Sequence, residues 1–302
     1  MSEIILHHYD ISPFSEKVRR VLIYKEMPWA AVEQPIMAPK PDLTPLTGGY
    51  RRIPVMQIGA DIYCDTALII RKLDELSPAK PVLPSNNLGV AKILEDWADH
   101  RVFMHAVPPV VVALADALPP GFFEDRGAMT PGFDKDTLIA AAPLAREQIA
   151  HDLNFLEEQL QVSKFLVGDA FSVADAACYH IIKFMLNDPT NEALISSRPK
   201  LAAWAQTIEN FGSGQVKTME PAEALAIARE AQPADLDKAS VEAVGYAVGD
   251  MVTIIADDYG QETTEGEVVS IHPNQVSVVR NDPALGQLAV HYPRAGYRVT
   301  KT

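Results

Sequence analysis

Residues 3–8, Glu-Ile-Ile-Leu-His-His, form an apolar run that reads as a strand, and Ile11-Ser12-Pro13-Phe14 breaks it. Phe14, Val18, Val21 and Leu22 then fall at i, i+4, i+7 and i+8, one face of a helix. A second strand is expected over about 30–36, and Pro39, Pro41, Pro45 and Gly48-Gly49 mark a long loop after it. Ile53 to Ile58 reads as a strand, Gly59-Ala60-Asp61 as a hairpin turn and Ile62-Tyr63-Cys64 as the returning partner. Asp65-Thr66 offers polar groups where a helix carrying Ala67, Ile70, Leu73 and Leu76 begins, and Ser77-Pro78 ends it. The order over residues 1–80 is βαβ, then ββα.

From Pro81 the pattern changes. Pro84-Ser85-Asn86-Asn87 opens a stretch that stays helical to about 231, so an all-helical second domain is expected over 84–231. Helices are expected at about 88–106, 110–117, 136–161, 173–187, 199–211 and 221–231, with Pro199 and Pro221 in first turns, where proline is tolerated. Ile149, Leu153, Leu156 and Leu160 form one buried stripe, with Pro143 marking a later start or a bend in that helix. In Phe171-Ser172-Val173-Ala174-Asp175 a serine precedes an apolar run with a carboxylate three residues on. That is the logic of a capping box, and Ser172 and Asp175 are read as structural. After Gln232-Pro233 the period becomes alternating, in five short runs separated by turn residues such as Asp257-Asp258-Tyr259-Gly260. Residues 245–302 are therefore expected to form a small all-β domain of the SH3-like barrel kind, whose closure would bury sheet edges.

At 302 residues, 48% hydrophobic and 22% charged, the composition is that of a globular protein of two or three domains. Forty acidic residues against 26 basic ones give a net charge of −14, which repels phosphate backbones and anionic lipid surfaces. Neither a nucleic-acid nor a membrane partner is expected. The first ten residues lack the basic and apolar regions of a secretion signal, and no run approaches the roughly 20 apolar residues of a membrane span, which points to the cytoplasm. Cys64 and Cys178 lie in apolar surroundings, with no CxxC and no His/Cys spacing suited to zinc; two free thiols and no metal are expected.

Pro54 stands inside an otherwise good strand pattern, where proline marks an edge or a cis bond in a tight approach. Four motifs join it in order: Ser12-Pro13-Phe14-Ser15-Glu16-Lys17-Val18-Arg19 after the first strand, Arg52-Ile53-Pro54-Val55 before the hairpin, Asp65-Thr66 at the next helix start, and Gly168 to Asp175 before the buried helix. With the βαβ-ββα order, residues 3–231 resemble the cytosolic glutathione transferases. The resemblance implies an α/β thioredoxin-like N-terminal domain and an all-α second domain, with the C-terminal β-domain as an addition. It also implies glutathione as co-substrate, a small hydrophobic electrophile as second substrate, and a homodimer.

A free thiol with pKa ~8.5 is only about 3% thiolate at neutral pH, and the thiolate is the nucleophile. The resemblance makes Ser12 the catalytic residue, a hydroxyl donating to the glutathione sulfur at a helix start where N–H groups and the dipole favour negative charge. Ser15, at the same helix start, is its rival. Beside Pro54, the backbone of Val55 and Ile53 is expected to pair with the tripeptide. Asp65 and Thr66 are expected at its γ-glutamyl end, Arg52 and Lys40 at its glycyl carboxylate, and Phe14 and Ser15 around it. Phe14, Trp97, Arg101, Phe103 and His105 are the expected lining for the second substrate. Ser12-Pro13-Phe14-Ser15 stands where thioredoxin-type enzymes carry CxxC, so dithiol exchange by the chain's own cysteines is not available.

Each residue also has a plainer reading. Ser12 and Asp65-Thr66 would serve as helix caps in any fold, Arg51-Arg52 as solvated loop charges, and the Trp97 to His105 aromatics as domain-interface core. The alternative function is a non-catalytic adaptor of the same fold whose C-terminal β-domain binds a protein. With five basic and ten acidic residues, 233–302 carry −5, which disfavours nucleic acid. Peroxidase or isomerase use of the same thiolate remains open at this point.

Overall fold

A computed structural model describes residues 3–234 and 241–302. Residues 1–2, and 235–240 in the stretch before the expected β-domain, lie outside the described residues. The chain begins β1 (Ile5–His8), α1 (Pro13–Tyr24), β2 (Trp29–Glu33), α2 (Thr44–Thr47), β3 (Val55–Ile58), β4 (Asp61–Cys64) and α3 (Thr66–Leu76). Helices follow: α4 (Leu88–Asp96), a π-helical turn (Trp97–Val102), α5 (Phe103–Ala113), α6 (Phe122–Met129), α7 (Lys135–Gln159), α8 (Val173–Met185), α9 (Glu192–Ser196) and α10 (Pro199–Glu209). Then come β5 (Val216–Thr218), α11 (Pro221–Glu230), β6 (Met251–Ala256), β7 (Thr264–His272), β8 (Gln275–Asp282), β9 (Gly286–Pro293) and β10 (Tyr297–Lys301). Two compact units result: the described parts of Met1–Ser15, Pro28–Lys72 and Gln215–Thr302, and a helical unit of Glu16–Met27 and Leu73–Gly214.

The first unit is built on one sheet of order β10-β6-β7-β8-β9-β4-β3-β1-β2-β5. Its thioredoxin-like half pairs β1 with β2 in parallel and β1-β3-β4 antiparallel, and the Ile53–Pro54 bond that precedes β3 is cis. The C-terminal strands make an antiparallel meander in which β10 returns to pair with β6. β9 finds its second partner in β4, in parallel, with Tyr63 opposite His291. A sheet edge left open at β4 would expose unpaired N–H and C=O groups, and β9 covers it. All four residues of β4 are buried in consequence, Asp61 among them. The Asp61 carboxylate meets His291 Nε2 at 2.9 Å, and the His291 and Tyr63 rings stack at 4.4 Å. Leu46, Val55 and Ile62 share one core with Val252, Val278 and Val290, so the added strands have no separate apolar interior.

α11 and β5 differ from the sequence expectation. α11 packs against the sheet rather than within the helical unit: Ala224 and Met219 join Ile5, Ala30 and Val32, and the Ala224 carbonyl accepts from Gln57 Nε2 at 2.9 Å. β5 has no buried side chain and therefore no periodic signal; backbone pairing with β2 alone makes it a strand.

His7 on β1 is fully buried, with Nε2 2.8 Å from Gln57 Oε1. Burial, partly offset by that bond, lowers its pKa from 6.5 to about 4. The unfolded chain therefore takes up a proton near 6.5 and the folded one only near 4. The stabilisation is complete above the unfolded value and is lost as pH falls through this window, about 3 kcal/mol in all. Urea unfolding at about pH 7 and about pH 4.5 measures it. His7→Gln is expected to flatten the difference, and an equal pH slope in the variant would assign it elsewhere.

In the helical unit, α5 runs through Pro108 and Pro109, where a break was expected, and the irregularity falls instead at the π-helical turn. Val107, Val110 and Val111 are buried around the two prolines, and their packing offsets the missing N–H donors. α7 likewise continues through Pro143. α6 escaped the sequence reading because only Phe122 of its eight residues is buried, leaving no stripe to detect. Ser172 and Asp175 form a capping box at α8, and Asp175 also accepts from Leu166 N at 2.8 Å and Trp204 Nε1 at 2.9 Å. Lys17 is wholly buried, its ammonium 2.7 Å from Glu95 and 2.5 Å from Asp99, and Asp99 also meets His180 at 3.1 Å.

Candidate functional site

Pro13 at the first position of α1 fixes φ and needs no N–H partner, which leaves the residue before it as the cap. Ser12 Oγ accepts from Ser15 N at 3.2 Å, and Ser12 is 2% exposed. Capping uses an oxygen lone pair and keeps the hydroxyl proton available to an anion. The structural and catalytic readings of Ser12 are thus compatible. Ser15 Oγ is buried with no hydrogen-bond partner among the described residues. Burial pushes both protein thiols, Cys64 and Cys178, above the ordinary cysteine value, so neither supplies a thiolate near neutral pH.

Asp65 precedes α3 with φ +77°, a conformation that few residues other than glycine adopt. Its Oδ1 accepts from Ala67 N at 2.8 Å, and Thr66 beside it is buried. Oδ2 faces the hydroxyl of Tyr297 on β10 at 3.1 Å, and the Tyr297 and Tyr50 oxygens lie 3.3 Å apart. Desolvation, reinforced by Tyr50 and Asp65, holds the Tyr297 phenol well above its usual pKa and keeps it a neutral donor to the carboxylate.

The loop ahead of Pro54 is equally engaged. Arg52 forks onto the Asp258 carboxylate, with Nη1 3.3 Å from Oδ2, and donates from Nη2 to the Tyr259 carbonyl. Its guanidinium lies 3.8 Å from the centre of the Tyr259 ring. Arg51 meets Glu262 at 3.4 Å. Gly49 permits this approach: at φ +144°, a Cβ there would run into the Thr263 carbonyl oxygen. Lys40, 4% exposed, donates to the Pro35 carbonyl and lies 5.7 Å from the centre of the Tyr9 ring. Val55 is in register with His7 on one side and Cys64 on the other, whereas Ile53 lies ahead of the strand. Ile53 is thus the residue outside the ladder at this turn. Tyr50, Asp258, Tyr259 and Tyr297 went unnoticed in the sequence because they lie in an apparent loop, a turn and a β-run with no local sign of a shared destination.

The expected second-substrate residues separate. Phe14 is half-buried in the first turn of α1. Trp97 borders a cavity of about 560 Å³ between α4 and α7, with Ile93, Leu94, Phe155 and Leu156. Arg101 and His105 meet on Asp152 of α7, at 3.6 and 2.6 Å. Phe103 turns to α8, its ring 5.6 Å from that of Phe184. Arg101 and His105 thus share a partner, Asp152. Among the described residues no cluster of three or more His, Cys, Asp or Glu could hold a metal, and no helix is long and apolar enough to cross a membrane.

Comparison with known proteins adds the following. Residues 6–81 match the glutathione S-transferase N-terminal domain family and residues 129–211 its C-terminal domain family. A GST-like protein of solved structure from Pseudomonas syringae is 34% identical, with TM-score 0.84 and all of both chains covered. A probable glutathione S-transferase from Solanum tuberosum is 22% identical over 68% of this chain and 85% of its own length. Poplar glutathione transferase F1 shares the fold at 16% identity and TM-score 0.56, covering 76% of this chain and all of its own.

Proposed function

Because the chain belongs to the glutathione S-transferase family, we infer that it binds glutathione and lowers the pKa of its thiol, whose proton goes to solvent, and that the thiolate attacks the electrophilic carbon of a small hydrophobic second substrate, forming a C–S bond as a leaving group departs with its electron pair or as an activated double bond opens and takes up a proton. Ser12 donates a hydrogen bond from its hydroxyl to the sulfur and keeps its proton, while the first N–H groups of α1 and their dipole oppose protonation of the anion. The Ile53 backbone, Asp65 and Thr66 position the tripeptide. The observation that carries this reading is the Ser12 hydroxyl at the N-terminus of α1, its oxygen committed to the cap and its proton not. The inert protein cysteines support it, since the reactive sulfur must then come from a bound thiol. The proposal includes a homodimer in the cytoplasm and no metal.

One observation favours the adaptor alternative: both cations expected at the glycyl carboxylate already have protein partners. Retention of the full chain on immobilised glutathione, followed by assay against halogenated aromatics, unsaturated carbonyls and hydroperoxides, separates the two. Retention with turnover of an electrophile is expected. Retention with no turnover in any class selects the adaptor.

A further inference from the structure

The meander β6–β10 reaches the proposed thiol site at both ends, but with opposite effects. At Asp65 it contributes Tyr297, a neutral donor that leaves the carboxylate charged and suited to an ammonium group. At Arg52 it contributes a carboxylate in the fork geometry that a peptide terminus would need, together with a carbonyl and an aromatic face. Arg52 meets Asp258 and Arg51 meets Glu262, so two acidic side chains of the one loop already hold the two arginines. A terminal carboxylate arriving at Arg52 must displace Asp258 or share the guanidinium with it. An uncharged end meets no such competition.

Resting on the glutathione reading above, we propose that the loop between β6 and β7, through Asp258 and Tyr259, is a specificity element that disfavours a free C-terminal carboxylate and admits a γ-glutamylcysteinyl thiol whose C-terminal end is uncharged, as an amide or ester. Asp258 acts on the thiol through Arg52 and is a positioning residue rather than a catalytic one. Its side chain is one-third exposed and lies in the loop between β6 and β7, outside both strands.

Calorimetric titration of the full chain with glutathione and with its glycyl ethyl ester tests this directly. The wild type is expected to bind the two within about threefold of each other, and Asp258→Ala to tighten glutathione about tenfold, the worth of one charge-assisted hydrogen bond, with the ester nearly unchanged. Arg52→Ala in the Asp258→Ala background is expected to abolish the gain, which a merely structural role for Asp258 would not produce. A wild type that binds glutathione at least about tenfold tighter than the ester, with Asp258→Ala leaving that preference unaltered or weaker, overturns the proposal alone. If neither thiol binds the wild type or folded Asp258→Ala, the glutathione reading itself fails.

Discussion

Ser12→Ala is expected to lower kcat/KM for glutathione conjugation by about 25-fold near neutral pH, the ratio of thiolate fractions when a bound thiol pKa about two units below the free value returns to ~8.5. The loss is a deficit of thiolate, so it shrinks as pH rises past the free thiol value of ~8.5, where solvent ionises the sulfur unaided. This pH dependence separates catalysis from capping. Loss of the bond to Ser15 N also costs about 1 kcal/mol of stability in the alanine variant but only a few tenths in Ser12→Gly, because glycine tolerates the cap position. The two variants therefore differ in melting temperature and agree in activity. Ser15→Ala removes a buried hydroxyl without a hydrogen-bond partner, so its stability does not fall and its activity changes by less than about threefold. Equal defects in the two alanine variants would move the sulfur contact to Ser15.

Lys17→Met is expected to cost about 3–5 kcal/mol, because it leaves the carboxylates of Glu95 and Asp99 buried without their central cation. Desolvation alone would lower the Lys17 pKa, but Asp99 and Glu95 outweigh it and raise it. Desolvation would likewise raise Asp99, and Lys17 with His180 more than offsets that, holding its carboxyl below the usual range. The cluster's contribution is thus present at neutral pH, and is lost as pH falls through the lowered carboxyl pKa and as it rises through the raised ammonium pKa. Urea unfolding should show a lower midpoint at unchanged slope, with part of the loss recovered in Lys17→Met/Asp99→Asn, where one stranded charge is removed. A single-variant cost below about 1 kcal/mol would mean the cluster behaves as a solvated pair.

Local pattern made part of this molecule legible. The Phe14, Val18, Val21 and Leu22 spacing lies on α1, and Ser172 and Asp175 cap α8, because side-chain period and capping chemistry are decided within a few residues. The joining of β9 to β4 was not legible. Ile62-Tyr63-Cys64 reads as the returning strand of a hairpin whose turn includes Asp61, and nothing in these residues states that a partner arrives from more than 220 positions away. The same distance hid the environment of the candidate site. Arg52 was named for a ligand carboxylate on its charge and place beside Pro54, and it holds Asp258; Asp65 was named for an amine, and it also holds Tyr297. Trp97, Arg101, Phe103 and His105 were grouped by nearness in sequence, yet one helical path turns Phe103 to α8 and the others toward α7.

The most direct measurement is a spectroscopic titration of the thiolate of glutathione bound to the full chain, with the same thiol free in buffer as reference. Stabilisation by Ser12 and the start of α1 predicts a bound pKa about two units below the free value, near 6.5, reverting in Ser12→Ala. A bound thiol that ionises at the free value would contradict it, and with it the assignment of α1 as the element that makes the sulfur a nucleophile.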